Sequence, residues 1–439
     1  MEQKELKRFN LNSYAFIVSY IFMGLLSGIA FDVLVTFLQQ VSLGTAQSFS
    51  AYMGYSTFLA AAILLLAPKV GYKALALAAP LMVILGLVAV AYVNVGLIFP
   101  VATLAILTGT TLYDVILPPY LTAYTTPENR NKIFSTAIWT NLAGMVVATY
   151  FGGSLIVNRF AARMNISKAE AQAISEAVDK MSPEMLNQYI LAHKDVLLMF
   201  AIVALISLIP FLFVKQVESD YKETSKEKKG FDWSILTNKY VLIFLVYYAL
   251  IRFGASLICP YFSVYLNKFV GIDRATTSKL ISYSYFAGVI FTAICPYIVK
   301  RIGQVVALGG LALASIPFMM FIANGRAFGD KAAMVVGLAL FFRFGLMNAA
   351  NPIMNSLPME FVSKELRPAY NSAIFVAGAL TSILAGFFTK GFLFKTTSGY
   401  AVAYYITAAV YTTASILLLV TYTKKYNRSS EQKEEEKAA

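Results

Sequence analysis

Pro68-Lys69-Val70-Gly71-Tyr72-Lys73 joins two apolar runs, and Lys300-Arg301-Ile302-Gly303-Gln304 joins two others. Gly71 and Gly303 stand 232 residues apart, as do Lys69 and Arg301. A second pair of charged turns follows: Thr126-Pro127-Glu128-Asn129-Arg130, and Val362-Ser363-Lys364-Glu365-Leu366-Arg367. Arg130 and Arg367 are 237 residues apart, and so are Ser135 and Ser372. One basic turn means little, because positive residues collect at one end of any set of membrane helices. Two matched turns at nearly one offset point to a duplicated unit. A glycine in each first turn fits, since a tight reversal between helices favours the residue with the freest φ.

The segments around these turns are apolar enough to lie in lipid. Of 439 residues, 58% are hydrophobic and only 13% charged, with a mean hydropathy of +0.66. Soluble domains carry about 25% charged residues. This balance excludes a soluble enzyme, a disordered chain and a nucleic-acid-binding module. A spanning helix needs about 20 apolar residues. Twelve spans are expected, near 13–38, 49–67, 73–94, 98–123, 133–157, 194–214, 240–266, 277–299, 304–323, 331–356, 369–392 and 399–422. The expected fold is an all-α polytopic membrane protein, its twelve helices forming two pseudosymmetric six-helix bundles, 13–214 and 240–422.

The net charge of +13 and pI near 9.4 are a topology signal. With residues 1–12 in the cytoplasm, inside segments hold 22 of the 36 Lys and Arg, outer segments and mouths hold 12, and Arg252 and Arg343 lie within spans. That bias predicts a multi-pass protein of the plasma (inner) membrane with both termini cytoplasmic. No short apolar region followed by a small-residue cleavage site is evident near the start, so the first span reads as uncleaved. Residues 215–239 read as a polar cytoplasmic linker and 423–439 as a charged cytoplasmic tail. Residues 158–193 form an outer segment of another kind. Ser167-Lys168-Ala169-Glu170 is a capping-box pattern, and Ser182-Pro183 predicts a second short helix. Ser175 here and Ser225 in the linker are expected to be water-accessible on opposite sides. Cys259 and Cys295 are placed at opposite ends of consecutive helices, so no disulfide is expected. The single histidine, His193, has no cluster of partners, and neither a metal nor a cofactor is expected.

With these turns in place, the chain resembles the major facilitator superfamily of secondary transporters over residues 13–422. The family's turn after the second helix reads G-x-x-x-D-R-x-G-R-R/K. Lys69, Gly71 and Lys73 match its basic and glycine positions, with Pro68 at the acidic one; Arg301 and Gly303 match in the second copy, with Lys300 at the acidic one. Together with Arg130 and Arg367 these are the expected conformational turns. Drug–proton antiporters of the superfamily often carry G-x-x-x-G-P-x-x-G-G in the fifth helix. Here Gly144, Gly152 and Gly153 remain, with Ala148-Thr149 for the central Gly-Pro, and close helix packing is the favoured reading of these small residues. Around Gly109 the fourth helix lacks the arginine of the family's Arg-x-x-x-Gly pattern.

Charges inside hydrocarbon mark pathways or ion pairs. Asp32, Asp114, Arg252 and Arg343 fall in spans 1, 4, 7 and 10, the helices that the resemblance implies line a central cavity. Arg252 is roughly 18 Å into its helix at 1.5 Å per residue, near mid-membrane. Asp32 lies late in span 1, toward the rim. Asp114 corresponds to Asn351 at the 237-residue offset, and Asn348 and Asn355 flank Asn351 at helical spacing. Pro118-Pro119 and Pro352 are expected to disturb their helices. Tyr113, Tyr247, Tyr248, Tyr261, Tyr265, Tyr283 and Tyr285 gather around spans 4, 7 and 8, where hydrogen bonding to a solute, packing and interface anchoring are all open roles. Trp139 in span 5 offers a ring for stacking or packing.

The expected substrate-binding residues are Arg252, Arg343, Asn351, Asp114, Tyr113 and Tyr248; Asp114 and Asp32 are the proton-coupling candidates. The chain reads as a secondary active transporter, not an enzyme, moving a small organic solute by alternating access. Its expected partners are that solute, the bilayer and a coupling ion, H+ or Na+; a monomer is expected and nucleic acid is not. An anionic solute follows from the arginines; an uncharged sugar or an exported amphiphile is the alternative. No Walker-type phosphate loop is present to power it. A polytopic enzyme would need clustered acid, base or metal groups, and a non-transporting sensor would be separated by counterflow in proteoliposomes.

Overall fold

The computed structural model describes residues 3–93, 95–220, 237–363 and 366–427. Residues 221–236 of the expected linker, the tail beyond 427, and Lys364 and Glu365 of the turn after span 10 lie outside the described residues. Among the described residues there is no strand. Eleven helices among the described residues are long and apolar enough to cross a membrane, and Phe49–Leu64 is a shorter apolar helix in the place of span 2. The all-helical polytopic fold is therefore as the hydropathy requires.

The chain divides into two compact units. Unit 1 comprises the described residues of Met1–Lys228 together with Leu266–Ser282; unit 2 comprises those of Lys229–Tyr265 and Tyr283–Ala439. Leu266–Ser282, the hairpin tip between spans 7 and 8, thus packs with the first six spans.

In unit 1, span 1 (Lys4–Val41) lies against span 5 (Lys132–Met164), and span 3 (Ala67–Tyr92) against span 4 (Ile98–Ala123). Glycines set the first contact. A Cβ on Gly24 would stand 2.1 Å from the Asn141 carbonyl oxygen, and one on Gly144 would stand 2.5 Å from that of Ile21. In lipid, where apolar side chains gain little by leaving their solvent, such backbone approach is a main source of helix association. Asn141 Nδ2 also donates to the Tyr20 carbonyl at 3.0 Å. Near its end span 1 opens into a π-helical turn, Ala30–Leu34, which carries Asp32. In unit 2, Lys239–Ile258 of span 7 packs on spans 11 and 12, and Gln304–Ala314 of span 9 packs on span 12.

Four details differ from the sequence reading. Span 5 continues as helix to Met164, where Asn165 ends it in the left-handed region (φ 54). Ser182-Pro183 does open a helix, with Ser182 Oγ accepting from Met185 N at 3.2 Å, but that helix is span 6 itself, Pro183–Ile206. Polar residues hid both extensions from hydropathy, yet Arg163 and Asp195 satisfy each other in a bidentate pair at 2.8 Å. The third detail is that the span 4 helix runs unbroken through Pro118 and Pro119. These residues lack amide hydrogens and leave the Asp114 and Val115 carbonyls without that donor, one turn before the helix end. Pro352, by contrast, coincides with a break: Ala332–Ala349 stops and Asn351–Ser356 restarts. The fourth is Ser175, which is fully buried.

Candidate functional site

The first polar centre lies in unit 1 on spans 1 and 4. Tyr113 and Asp114 are consecutive on a helix, so they point about 100° apart. Tyr113 is fully buried among Phe16, Tyr20 and Phe211, with its ring 5.4 Å from Phe16. Asp114 is exposed on a helix that is otherwise apolar, and Tyr20 Oη donates to its Oδ1 at 2.5 Å. No Lys or Arg pairs with Asp114 among the described residues. A carboxylate so placed keeps a strong acceptor and a titratable proton site while one phenol holds its orientation.

The second centre gives Asp32 a different setting from the rim of span 1. Its side chain is 0% exposed, and Oδ1 meets Arg274 Nη2 at 2.8 Å; Arg274 is 0% exposed too. Ser278 Oγ donates to Asp32 Oδ2 at 2.5 Å and accepts from Arg274 Nη1 at 2.9 Å. The π turn inserts an extra residue and re-aims the carboxylate into the bundle, a device frequent at functional sites. Gly152 and Gly153 make room: a Cβ on Gly153 would lie 2.3 Å from the Arg274 carbonyl oxygen, and one on Gly152 would lie 3.2 Å from Asp32 Oδ2. Sequence reasoning missed Arg274 because it counted as one more charge in an outer mouth. His193, the single histidine, is fully buried, with Nδ1 2.9 Å from the Tyr189 carbonyl oxygen. Because a carbonyl can only accept, Nδ1 is the donor in that contact, and Nε2 has no hydrogen-bond partner.

The third centre is in unit 2. Arg343 is 1% exposed. Its Nη1 lies 3.4 Å from Cys259 Sγ, its Nη2 lies 3.4 Å from Tyr411 Oη, and its guanidinium sits 5.5 Å from the centre of the Phe262 ring. Nε has no partner. No acid pairs with Arg343 among the described residues, so its surroundings are a thiol, a phenol and an aromatic face. Arg252 is exposed and Tyr248 half-buried. Both lie beside Gly378 of span 11, where an added Cβ would stand 3.1 Å from Tyr248 Cε1 and 3.7 Å from Arg252 Nε. Asn351 is exposed; its Nδ2 donates to Asn348 Oδ1 at 3.2 Å, and Asn348 Nδ2 donates to the Phe344 carbonyl at 2.9 Å. Cys259 and Cys295 are both free thiols.

The turns repeat in conformation. Gly71 has φ 81 and ψ 161; Gly303 has φ 80 and ψ 162. Each faces an amide side chain from the end of its unit. Gln216 Oε1 accepts from Lys73 N at 2.6 Å, and Asn427 Oδ1 accepts from Val305 N at 3.0 Å. Lys73 and Val305 keep the same offset as the glycines, so two equivalent helix starts carry equivalent caps. Where the sequence has Pro68 and Lys300 in place of an acid, these amides close the turn. Lys73 Nζ also donates to the Val214 carbonyl at 2.8 Å. Lys69 and Arg301 are exposed, and Arg367 Nε donates to the Met359 carbonyl at 3.0 Å. The Arg130 side chain lies outside the described residues, though its helix opens with a capping box in which Asn129 Oδ1 accepts from Thr126 N at 2.9 Å.

The structure is similar to the nucleoside transporter NupG, with a TM-score of 0.71 and 14% identity, covering 95% of this chain and 100% of that one. It is similar to a D-xylose-proton symporter (TM-score 0.69, 14% identity, 96% and 99% covered). A third likeness is to a variant of the E. coli Fucose:proton symporter FucP (TM-score 0.57, 18% identity, 93% and 98% covered). At such identities the likeness is one of fold. No curated protein sequence matches the chain. The model of the Major Facilitator Superfamily matches residues 11–386. With that match across most of its length, and with paired turns and twelve apolar helices in the matching fold, the chain belongs to the Major Facilitator Superfamily.

Proposed function

We propose that the protein is a secondary active transporter that carries a small organic anion by alternating access, with proton movement at Asp114. One observation carries this reading. Asp114 in unit 1 and Arg252 in unit 2 are accessible charges within apolar spans, and neither has an oppositely charged partner among the described residues. A lone charge in hydrocarbon is costly, by a few kcal/mol or more on insertion scales, and is retained for a ligand or an ion. Arg252 offers a solute carboxylate or phosphate a planar set of donors. Tyr248 and Asn351 add neutral hydrogen bonds. Arg343, buried among Cys259, Tyr411 and Phe262, is a second cation of unit 2 that adds to the attraction for an anion. Asp114, held by Tyr20, is the group that takes and releases the proton. The Lys and Arg bias supports cytoplasmic termini in a plasma membrane.

An uncharged sugar or nucleoside is the second reading. It is favoured by the fold likeness to a D-xylose-proton symporter, a fucose-proton symporter and a nucleoside transporter. Uptake into proteoliposomes under an imposed pH gradient separates the two. Labelled succinate, gluconate and phosphate are set against D-xylose, L-fucose and uridine. Accumulation of an organic anion, abolished by a protonophore, is the expected result. Accumulation of the neutral solutes alone would replace the anion reading with the second one.

A further inference from the structure

Residues 165–182 join spans 5 and 6, and nothing in the two-bundle plan requires them. Their short α-helix, Lys168–Ile174, is capped by Ser167 Oγ, which accepts from Glu170 N at 3.2 Å, and a 3-10 turn follows at Val178–Lys180. Its buried Ala171 seats it, and Ser175 just beyond is also 0% exposed. Ser175 is buried because it meets the hairpin tip Leu266–Ser282 twice. Its carbonyl accepts from Asn267 Nδ2 at 2.9 Å, and its Oγ accepts from Arg274 N at 3.1 Å. Asp179 adds an ion pair to Lys268 at 3.3 Å.

The tip is built to be held there. Asn267 Nδ2 also donates to the Ile272 carbonyl at 2.8 Å, closing the turn around Gly271 (φ 85). Asp273 Oδ1 accepts from Thr276 N at 2.9 Å and caps the next helix. Beyond the turn, Arg274 reaches Asp32, and Ser282 Oγ donates to the Val146 carbonyl at 2.7 Å. Ser175 therefore fixes the backbone of the residue whose side chain neutralises Asp32. A buried pair of this kind tolerates little displacement, since separation leaves two desolvated charges.

We propose that residues 165–182 are a strap that keeps the tip Leu266–Ser282 docked on spans 1 and 5, and so sets how often this end of unit 1 opens. The inference rests on the alternating-access reading, in which the tip must leave its seat. Its test reports opening whether or not any solute is carried.

The full-length protein in nanodiscs, with Cys259→Ser and Cys295→Ser, carries Ala275→Cys as a reporter, since Ala275 is buried in the docked tip. Adding Ser175→Ala with Asn267→Ala should speed labelling of that cysteine by a membrane-impermeant maleimide about tenfold, the scale of a modest shift in a local opening equilibrium. Unchanged labelling overturns the strap. Amide exchange in span 4 checks that unit 1 is folded; faster exchange there discards the variant, and a second measurement then decides. In the cysteine-free background, Asp179→Cys and Lys268→Cys are bridged by a short bis-maleimide. Bridging should slow amide exchange across 266–282 below that of the unbridged protein, and an unchanged rate overturns the proposal.

Discussion

Arg274 Nη2 lies 2.8 Å from Asp32 Oδ1, and neither side chain is exposed. Among the described residues this is the one ion pair buried on both sides. Removing one partner of such a pair strands the other charge, at about 3–5 kcal/mol, whereas removing both is often close to neutral. Arg274→Met should therefore lower the thermal stability of the detergent-solubilised protein sharply. Asp32→Asn combined with Arg274→Met should recover most of the loss. Thermal unfolding of the two single variants and the double variant measures this coupling, and strict additivity of the losses would remove the pair from the account.

The turn glycines predict a second pattern. At Gly71 a Cβ would stand 1.9 Å from Gln216 Nε2, and at Gly303 one would stand 2.4 Å from Asn427 Oδ1. Both positions also carry positive φ, which an L side chain adopts at a cost of about 1–3 kcal/mol. Gly71→Ala should destabilise by more than the φ penalty alone, and adding Gln216→Ala should return part of it by clearing the space. The remaining loss reflects φ and the missing cap on Lys73 N. Absence of any rescue in a melting experiment would mean that Gln216 does not close this turn.

Arg343 separates stability from function. Its guanidinium is buried with no acid beside it among the described residues. A cation so placed is unfavourable to fold around, and an apolar residue of similar length is expected to be neutral or stabilising. Arg343→Met should keep or raise the melting temperature while transport of an anionic solute falls, and Arg343→Ala should abolish that transport with membrane insertion intact. A variant that melts lower and transports normally would mean that Arg343 serves the fold rather than the solute.

These contacts differ in how far the sequence disclosed them. Spans and turn glycines are local: hydropathy over about 20 residues and a residue free of φ limits act where they stand. Gly71 and Gly303 are legible as a repeat for that reason, but their amide caps are not, because Gln216 and Asn427 arrive from the far end of each unit. Asp114 was legible as a charge in a span; its partner Tyr20 was not. Arg274 was hidden by its place at a helix start, where a basic residue ordinarily reaches water. Asp32 reads as a rim charge from its place late in span 1, because the Arg274 that pairs with it comes from a distant segment. The strap was legible only as helix caps at Ser167 and Ser182, since caps say where a helix begins and nothing of what it rests on.

Asp114→Asn separates proton movement at Asp114 from a purely structural role. Asn keeps the size of the side chain and a group that hydrogen-bonds to Tyr20, but it cannot titrate. The variant is reconstituted beside the parent protein, using the solute from the uptake panel that the parent accumulates most. Two rates are read: accumulation driven by a pH gradient, and counterflow driven by solute alone. Asp114→Asn should lose pH-driven accumulation and retain counterflow. Full pH-driven accumulation in Asp114→Asn would overturn proton movement at Asp114 and leave it a structural partner of Tyr20.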